Sequence, residues 1–465
     1  MRVCLVSREI APFWGAGIGT YAAAILRAFA AEGHEVHALT PEHRNLHVLA
    51  PKLFPGVKFH PRRAMLGPSE LKACVWPFQR HALETFRTLE ALHERYSYHY
   101  VEFPEYWGEG YFVLRSKRRL GKFQGVAIGV RLHTPSIMCR ELNQSPELTD
   151  EQATLEHMEA SSIADADLLV SPSKSLLDKV ASRMEPAKDQ PAFVVPYPFS
   201  VKEFGTAAGG MRRPPPSHDD PAQRDATKTI LYFGRLERRK GVETLVDSLR
   251  RLLDSAINVR CRLIGADTNS GPAGGSMLAH LKTRLHNYRP ETFSFEPAVT
   301  REELGDPIRK ADVVCLPSLW ENFPNACLEA MSLRACVLAS DAGGMSEVVE
   351  DGVSGVLFQG GNTTNLTATL RRVLSDAELR ATCATNAPRR IATLCDPGKV
   401  LAATIAAVET ARAGPRVADR FDPGKHGAAL TIPVPTVRAS DVDAKGGLMT
   451  RAMVSVLRGL RGGES

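Results

Sequence analysis

The stretch Arg2-Val3-Cys4-Leu5-Val6-Ser7, then an Ala-rich run to Glu32 closed by Gly33, then Glu35-Val36-His37-Ala38-Leu39, decides the fold. A short apolar strand, a helix-length segment and a second apolar strand make the unit of a helix-covered parallel sheet. In the intervening segment Tyr21, Ile25 and Phe29 recur at steps of four, giving one apolar face to lay on the sheet. Further strands are expected at residues 98–103, 127–132, 168–171 and 193–195. A second series is expected at 229–233, 262–264, 313–316, 336–339 and 356–358. Ligands of such sheets bind beyond the C-terminal strand ends.

A chain of 465 residues exceeds one ordinary core, so two domains are expected. Residues 1–200 read as a first Rossmann-like α/β domain at the N-terminus, 201–228 as a flexible linker, and 229–395 as a second, C-terminal Rossmann-like domain. Residues 396–412 read as a terminal helix packing back on the first domain, and 413–465 as a tail. Within 206–227 the composition turns to Gly, Pro, Ser, Asp and Arg, with almost nothing to bury. In the tail Met449, Met453, Val456 and Leu460 share a helical face ringed by Arg451, Arg458 and Arg461; an interfacial membrane helix, a docked helix and disorder all fit.

The first residues run straight into a strand, without the basic region and cleavage site of a secretory signal, and no apolar run suggests a membrane span. The nine cysteines lack C-x-x-C spacing, against a disulfide framework or a zinc site, so a reducing cytoplasm is expected. A formal charge of +6 is mild, and the basic runs Lys117-Arg118-Arg119 and Arg238-Arg239-Lys240 are too short for a nucleic-acid stripe; no nucleic-acid partner is expected.

Three segments carry chemistry. Gly15-Ala16-Gly17-Ile18-Gly19 joins the first strand to a helix, where glycines admit a bound group and helix N–H donors suit a phosphate. Its G-x-G-x-G spacing and the ending Leu39-Thr40 of the second strand disfavour a nicotinamide cofactor. Next, Gly234-Arg235-Leu236 and Lys240-Gly241 put two cations at a strand end, as a diphosphate leaving group needs when no metal neutralises it. A solvated Arg/Lys loop is an equal reading of that spacing. Last, residues 319–331 place Glu321 on a loop and Glu329 one turn into a helix that Asn325 is suited to cap. Ionised carboxylates are pure acceptors, fit to grip neighbouring hydroxyls of a sugar or ribose, although Glu329 also fits a solvent-facing helix position. The pair Asp165-Ala166-Asp167 resembles a metal-binding D-x-D, but its place just before Leu168 favours a structural role, and no metal is expected.

Together these motifs resemble a family 4 retaining glycosyltransferase, of the wider group 1, with the GT-B fold. Also matching are Ala166-Asp167-Leu168-Leu169-Val170-Ser171-Pro172-Ser173, Leu263-Ile264-Gly265, Ala342-Gly343-Gly344-Met345-Ser346-Glu347 and Asp351-Gly352-Val353-Ser354-Gly355-Val356-Leu357, in order over residues 1–412. The resemblance implies an α/β protein of two Rossmann-like domains facing each other across a donor-binding cleft. Such a protein moves a sugar from a UDP- or GDP-linked donor to a glycan or lipid-linked glycan, with retention and without cofactor or metal. Bacterial cell-surface polysaccharide synthesis is the implied setting, with peripheral contact at the inner face of the cytoplasmic membrane.

By the same resemblance Arg235 and Lys240 bind the diphosphate, which Gly17 and Gly19 approach. Glu321 and the backbone of Asn322, Phe323, Pro324 and Asn325 orient the sugar, Glu329 holds the ribose, His133 lies near the sugar, Val299 packs the base, and Gly265 belongs to the donor site. Two departures stand out: Pro196-Tyr197-Pro198-Phe199-Ser200 replaces a common Pro-Asn-Gly, and Pro324 replaces a common glycine, removing one N–H from the sugar loop. The rival readings are a sugar-nucleotide-binding scaffold without transfer activity, and a GT-B phosphorylase or synthase.

Overall fold

The first sheet is built from β1 (Arg2–Val6), β2 (Glu35–Thr40), β3 (Val57–Pro61), β4 (Tyr100–Pro104), β5 (Ala127–Arg131), β6 (Leu168–Ser171) and β7 (Ala192–Val194). They pair in parallel in the order β3-β2-β1-β4-β5-β6-β7. The second sheet contains β8 (Lys228–Phe233), β9 (Val259–Ile264), β10 (Phe293–Glu296), β11 (Val313–Leu316), β12 (Val337–Ser340) and β13 (Val356–Phe358). Its order is β10-β9-β8-β11-β12-β13, again parallel. This computed structural model describes residues 1–15, 17–63, 65–144, 148–184, 189–208, 227–414, 434–438 and 440.

The chain divides into two units, Met1–Cys139, Pro146–Pro198 and Gly398–Ser465 in one, Arg140–Ser145 and Phe199–Pro397 in the other. In the first, the helix Gly17–Ala31 buries Tyr21, Ile25 and Phe29, the face its spacing predicts. In the second, Ile230, Leu263, Val313 and Leu338 from the strands meet Val242, Leu245, Leu249 and Leu370 from the helices Val242–Asp254 and Thr363–Ser375 in one core. Each sheet reverses its strand order beside its first strand, between β1 and β4 and between β8 and β11. At such a switch point the loops after the two strands part and leave a crevice.

Three expectations differ from the structure. β3 and β10 are additional edge strands: Val57-Lys58-Phe59-His60-Pro61 is half-exposed and ends in proline, so it lacks the apolar run by which inner strands announce themselves. The expected linker 201–228 opens with a helix, Val201–Ala207, because Ser200 caps it by accepting from the Glu203 N–H at 3.2 Å and Phe204 is buried. Residues 209–226 lie outside the described residues. In the expected tail, the described piece 434–438 docks on the first unit, where Val437 N–H donates to Thr154 Oγ1 at 2.9 Å. The expected amphipathic face at Met449, Met453, Val456 and Leu460 lies outside the described residues.

The terminal helix Pro397–Ala413 groups, from Gly398 on, with the first unit, and Arg131 approaches Thr404 Oγ1 at 3.5 Å. The stretch Ala377–Ala413 reaches the length and mean hydropathy, 1.4 over its most apolar window, of a membrane-crossing helix. It is interrupted at Cys395, and each part buries one face, Ala387 and Ile391 before the break and Val400, Leu401 and Val408 after it, as core helices do.

Candidate functional site

The loop after β8 is set by a close crossing. Gly234 N–H donates to the Ile264 carbonyl at 2.9 Å, and a Cβ on Gly265 would lie 1.8 Å from the Gly234 oxygen. Gly265 is thus required by the chain's own packing. Tyr232, buried on β8, donates its hydroxyl to the Arg235 carbonyl at 2.6 Å and fixes the turn. Arg238–Lys240 forms one tight 3-10 turn, so its successive side chains leave in different directions.

A connected line of charge results. Arg235, exposed, meets Glu237 at 3.1 Å; buried Arg239 meets Glu237 at 3.4 Å and Glu321 at 3.9 Å; Lys240 meets Glu321 at 2.5 Å. Glu237 also accepts from Asn143 Nδ2 at 2.7 Å, a residue of the 140–145 segment that groups with this unit. Burial alone would push both carboxyls up, but the cations outweigh it, Lys240 and Arg239 at Glu321, Arg239 and Arg235 at Glu237, and both sit below the ordinary range. Burial draws Lys240 down despite Glu321. Three cations against two carboxylates leave one positive charge in excess at the β8/β11 switch point, an attractor for an anionic ligand.

Glu321 reaches that place because its loop is tied on both sides. Ser318 Oγ donates to the carboxylate at 2.7 Å, and Gly344 N–H donates to the Glu321 carbonyl at 2.8 Å. The loop continues through Asn322, half-buried, and Phe323, buried, to Pro324. Pro324 takes the cap position of the helix Asn325–Ser332 and Asn325 is its first residue, which corrects the expected Asn325 cap. Pro324, at φ −81° and ψ 103°, has the extended backbone that a cap position takes. Glu329 is buried on that helix and held by Arg301 Nε at 2.8 Å, with burial keeping its carboxyl above the ordinary range even against Arg301. The structure therefore joins Arg235, Lys240 and Glu321 in one network and gives Glu329 a separate partner. Val299 is half-buried in the loop between β10 and the helix Arg301–Lys310.

The remaining nominated residues belong to the first unit. Gly17 opens the first helix; Gly19 lies where a Cβ would stand 2.6 Å from the Trp14 carbonyl, so its own loop fills the space. His133, just past β5, is buried and bonded to the Tyr197 hydroxyl at 2.5 Å. Burial, with Arg131 nearby, pushes its pKa down to about 3, so it is neutral. The His133 backbone N–H donates to both oxygens of Glu105 at 2.9 Å. Asp165 pairs with Arg115 at 3.0 Å, and Asp167 binds Lys117 and accepts from Ile128 N–H at 2.8 Å, so both carboxylates of the D-x-D sit in ion pairs of the fold.

Sequence reading missed several charged residues. Arg239 was not nominated because a Lys/Arg run does not show which member turns inward; the preceding Glu237 was the available signal. Glu105 and Glu159 are buried carboxyls pushed up by burial, to about 8 and about 7. Glu159 accepts from Trp107 N–H at 3.0 Å and from Ser136 N–H and Oγ, each at 2.7 Å, tying together the loops after β4 and β5. Trp107 needs that tie: its φ of 64° lies in the left-handed region, which costs a bulky residue about 1–3 kcal/mol.

Residues 216–390 match the family described as Glycosyl transferases group 1. A D-inositol 3-phosphate glycosyltransferase of Nocardiopsis dassonvillei is 34% identical over 170 residues, 36% of this chain and 40% of that relative, so the chain spans less than half the relative's length. Among solved structures, sucrose-phosphate synthase from Thermosynechococcus elongatus superposes with a TM-score of 0.65 at 20% identity, covering 88% of this chain and 98% of that one. Anabaena HepE in complex with UDP and glucose gives 0.62 at 17% identity, covering 88% and 100%. At such identities the likeness shows the fold: two Rossmann-like α/β halves with GT-B neighbours. The matched residues carry every charge of the network at the β8/β11 switch point.

Proposed function

We propose that the chain is a retaining glycosyltransferase that moves a hexosyl or related sugar from a UDP- or GDP-linked donor to an acceptor hydroxyl. The observation that carries this reading is the cation-rich network of Arg235, Glu237, Arg239, Lys240 and Glu321 at the switch point of a group 1 domain. A donor diphosphate competes with Glu321 for Lys240; the carboxylate so released accepts hydrogen bonds from the sugar hydroxyls. Arg235, whose side chain is 57% exposed, is the accessible cation of the set. Glu329 serves the ribose, Val299 the base, and the loop Asn322–Asn325 the sugar. For His133, Gly17 and Gly19 the proposed donor contact rests on the family resemblance alone.

In the reaction, the acceptor oxygen bonds to the anomeric carbon on the face the nucleotide leaves. The bond from that carbon to the phosphate oxygen breaks, its electron pair stays on the phosphate, and the acceptor proton moves to a phosphate oxygen. Arg235 and Lys240 stabilise this developing charge more strongly in the transition state than before it. No metal or cofactor is assigned. We place the activity in bacterial cell-surface polysaccharide assembly at the inner face of the cytoplasmic membrane; that none of the nine cysteines is in a disulfide accords with a reducing compartment.

Incubation with UDP-, GDP- and ADP-glucose and a mixed glycan acceptor tests the reading. It predicts release of nucleoside diphosphate, a product with the donor's anomeric configuration by NMR, and activity that survives EDTA. Inversion, or no turnover with any donor, contradicts it.

A further inference from the structure

The first unit has its own switch point, between β1 and β4, and a cation stands there without a counter-charge among the described residues. Arg8 lies two residues past β1, half-buried, with its guanidinium carbon 3.4 Å from the centre of the Trp107 ring, three residues past β4. Two carboxylates are near: Glu9 is its chain neighbour, and Glu109 accepts from the Arg8 backbone N–H at 3.0 Å and lies 3.3 Å from His81. The Arg8 guanidinium pairs with neither, and it makes no hydrogen bond or ion pair among the described residues.

A guanidinium whose carbon lies 3.4 Å over an indole keeps N–H donors at its edge, and those match the two oxygens of a carboxylate or phosphate. Stacking also fixes the group, so little freedom is lost when an anion arrives. The platform is itself fixed: Trp107 is held in the left-handed region by the Glu159 carboxylate, with Tyr106 at 6.4 Å and His81 at 5.9 Å around the ring. Aromatic rings beside a positioned cation suit a sugar with an anionic substituent, the ring contacting C–H faces and the cation holding the charge.

We propose that Arg8 and Trp107 form a subsite for the oxyanion of a negatively charged saccharide, the acceptor substrate. The acceptor role rests on the glycosyltransferase reading; the binding site stands without it.

The probes are glucose 6-phosphate and glucuronate, which separate phosphate from carboxylate as the source of the charge, with glucose as control and UDP-glucose for the donor. Melting temperature and calorimetric affinity are measured on the full chain and on Arg8→Ala, Arg8→Lys and Trp107→Phe. At least one anionic sugar raises the melting temperature and glucose does not. Arg8→Ala weakens that binding by roughly ten-fold or more while leaving UDP-glucose affinity within about two-fold, and Arg8→Lys, with charge but no fork, restores only part of it. The inference is overturned if Arg8→Ala binds the anionic sugars as the parent does, or if UDP-glucose binds and neither anionic sugar does. Binding of an anionic sugar through Arg8 with no nucleotide-sugar binding would instead keep the subsite and overturn the transferase reading. Far-ultraviolet circular dichroism verifies folding, and Arg8→Lys decides the matter if Arg8→Ala does not fold.

Discussion

At the β8/β11 switch point three cations are threaded through two carboxylates, whereas at the β1/β4 switch point Arg8 lies stacked on Trp107 with no carboxylate partner among the described residues. The second unit also keeps its carboxyls Glu237 and Glu321 ionised by surrounding them with cations; the first keeps Glu105 and Glu159 close to neutrality by burial. The same strand order therefore supports two electrostatic designs. One holds its cations against carboxylates until a stronger anion displaces them, and the other leaves a single cation open.

The largest effect is expected where that pairing is removed. Lys240→Ala leaves Glu321, whose side chain is 8% exposed, with Arg239 at 3.9 Å as its cation and the Ser318 hydroxyl as its hydrogen-bond donor among the described residues. Breaking a buried pair costs about 3–5 kcal/mol, toward the lower end here because Lys240 is partly solvated. Turnover with the best donor should fall about a hundred-fold or more. Urea unfolding and a nucleoside-diphosphate release assay measure the two losses; unchanged values would mean that Lys240 is an ordinary surface lysine.

Glu159→Ala removes the acceptor of Trp107 N–H, Ser136 N–H and Ser136 Oγ. Unpairing buried donors costs about 1–3 kcal/mol each before water enters, so a loss of about 2–3 kcal/mol by urea unfolding is expected. If Arg8 binds an anionic sugar on a Trp107 platform, that affinity drops too; intact affinity would separate Glu159 from the platform.

Glu105 sharpens the contrast through pH. Its folded pKa, near 8, is raised above that of an unfolded carboxylate, so between about pH 4.5 and 8 the native state keeps a proton that the unfolded chain has released. The corresponding stability is full below that window and is lost as pH rises through it, at up to about 1.4 kcal/mol per pH unit. Glu105→Gln should flatten this part of the profile of melting temperature against pH; an unchanged slope would mean that Glu105 is ionised in the fold.

The smallest stability effect belongs to Arg235→Ala. Its exposed side chain should change unfolding free energy by less than about 0.5 kcal/mol while donor affinity falls.

Much of this architecture was legible in the sequence because inner parallel strands are apolar on both faces. The runs at 2–7, 229–233 and 313–316 announce β1, β8 and β11, and these position everything else. The half-exposed edges β3 and β10 carried no such run. At the site, glycines and carboxylates could be nominated by type and spacing, but who pairs with whom could not. Lys240 and Glu321 meet across 81 positions of chain, and Arg301 finds Glu329 across 28. Arg8 was invisible for the same reason: its stacking depends on Trp107, brought beside it only when β1 pairs with β4.

Calorimetric titration of UDP-glucose and GDP-glucose into the parent chain and the Arg235→Ala/Lys240→Ala variant tests the central claim most directly. The account predicts saturable binding of at least one donor by the parent, weakening as salt rises, and at least a hundred-fold loss in the variant, roughly 2.7 kcal/mol. Equal affinity in the two proteins, with the variant shown to be folded, would contradict it.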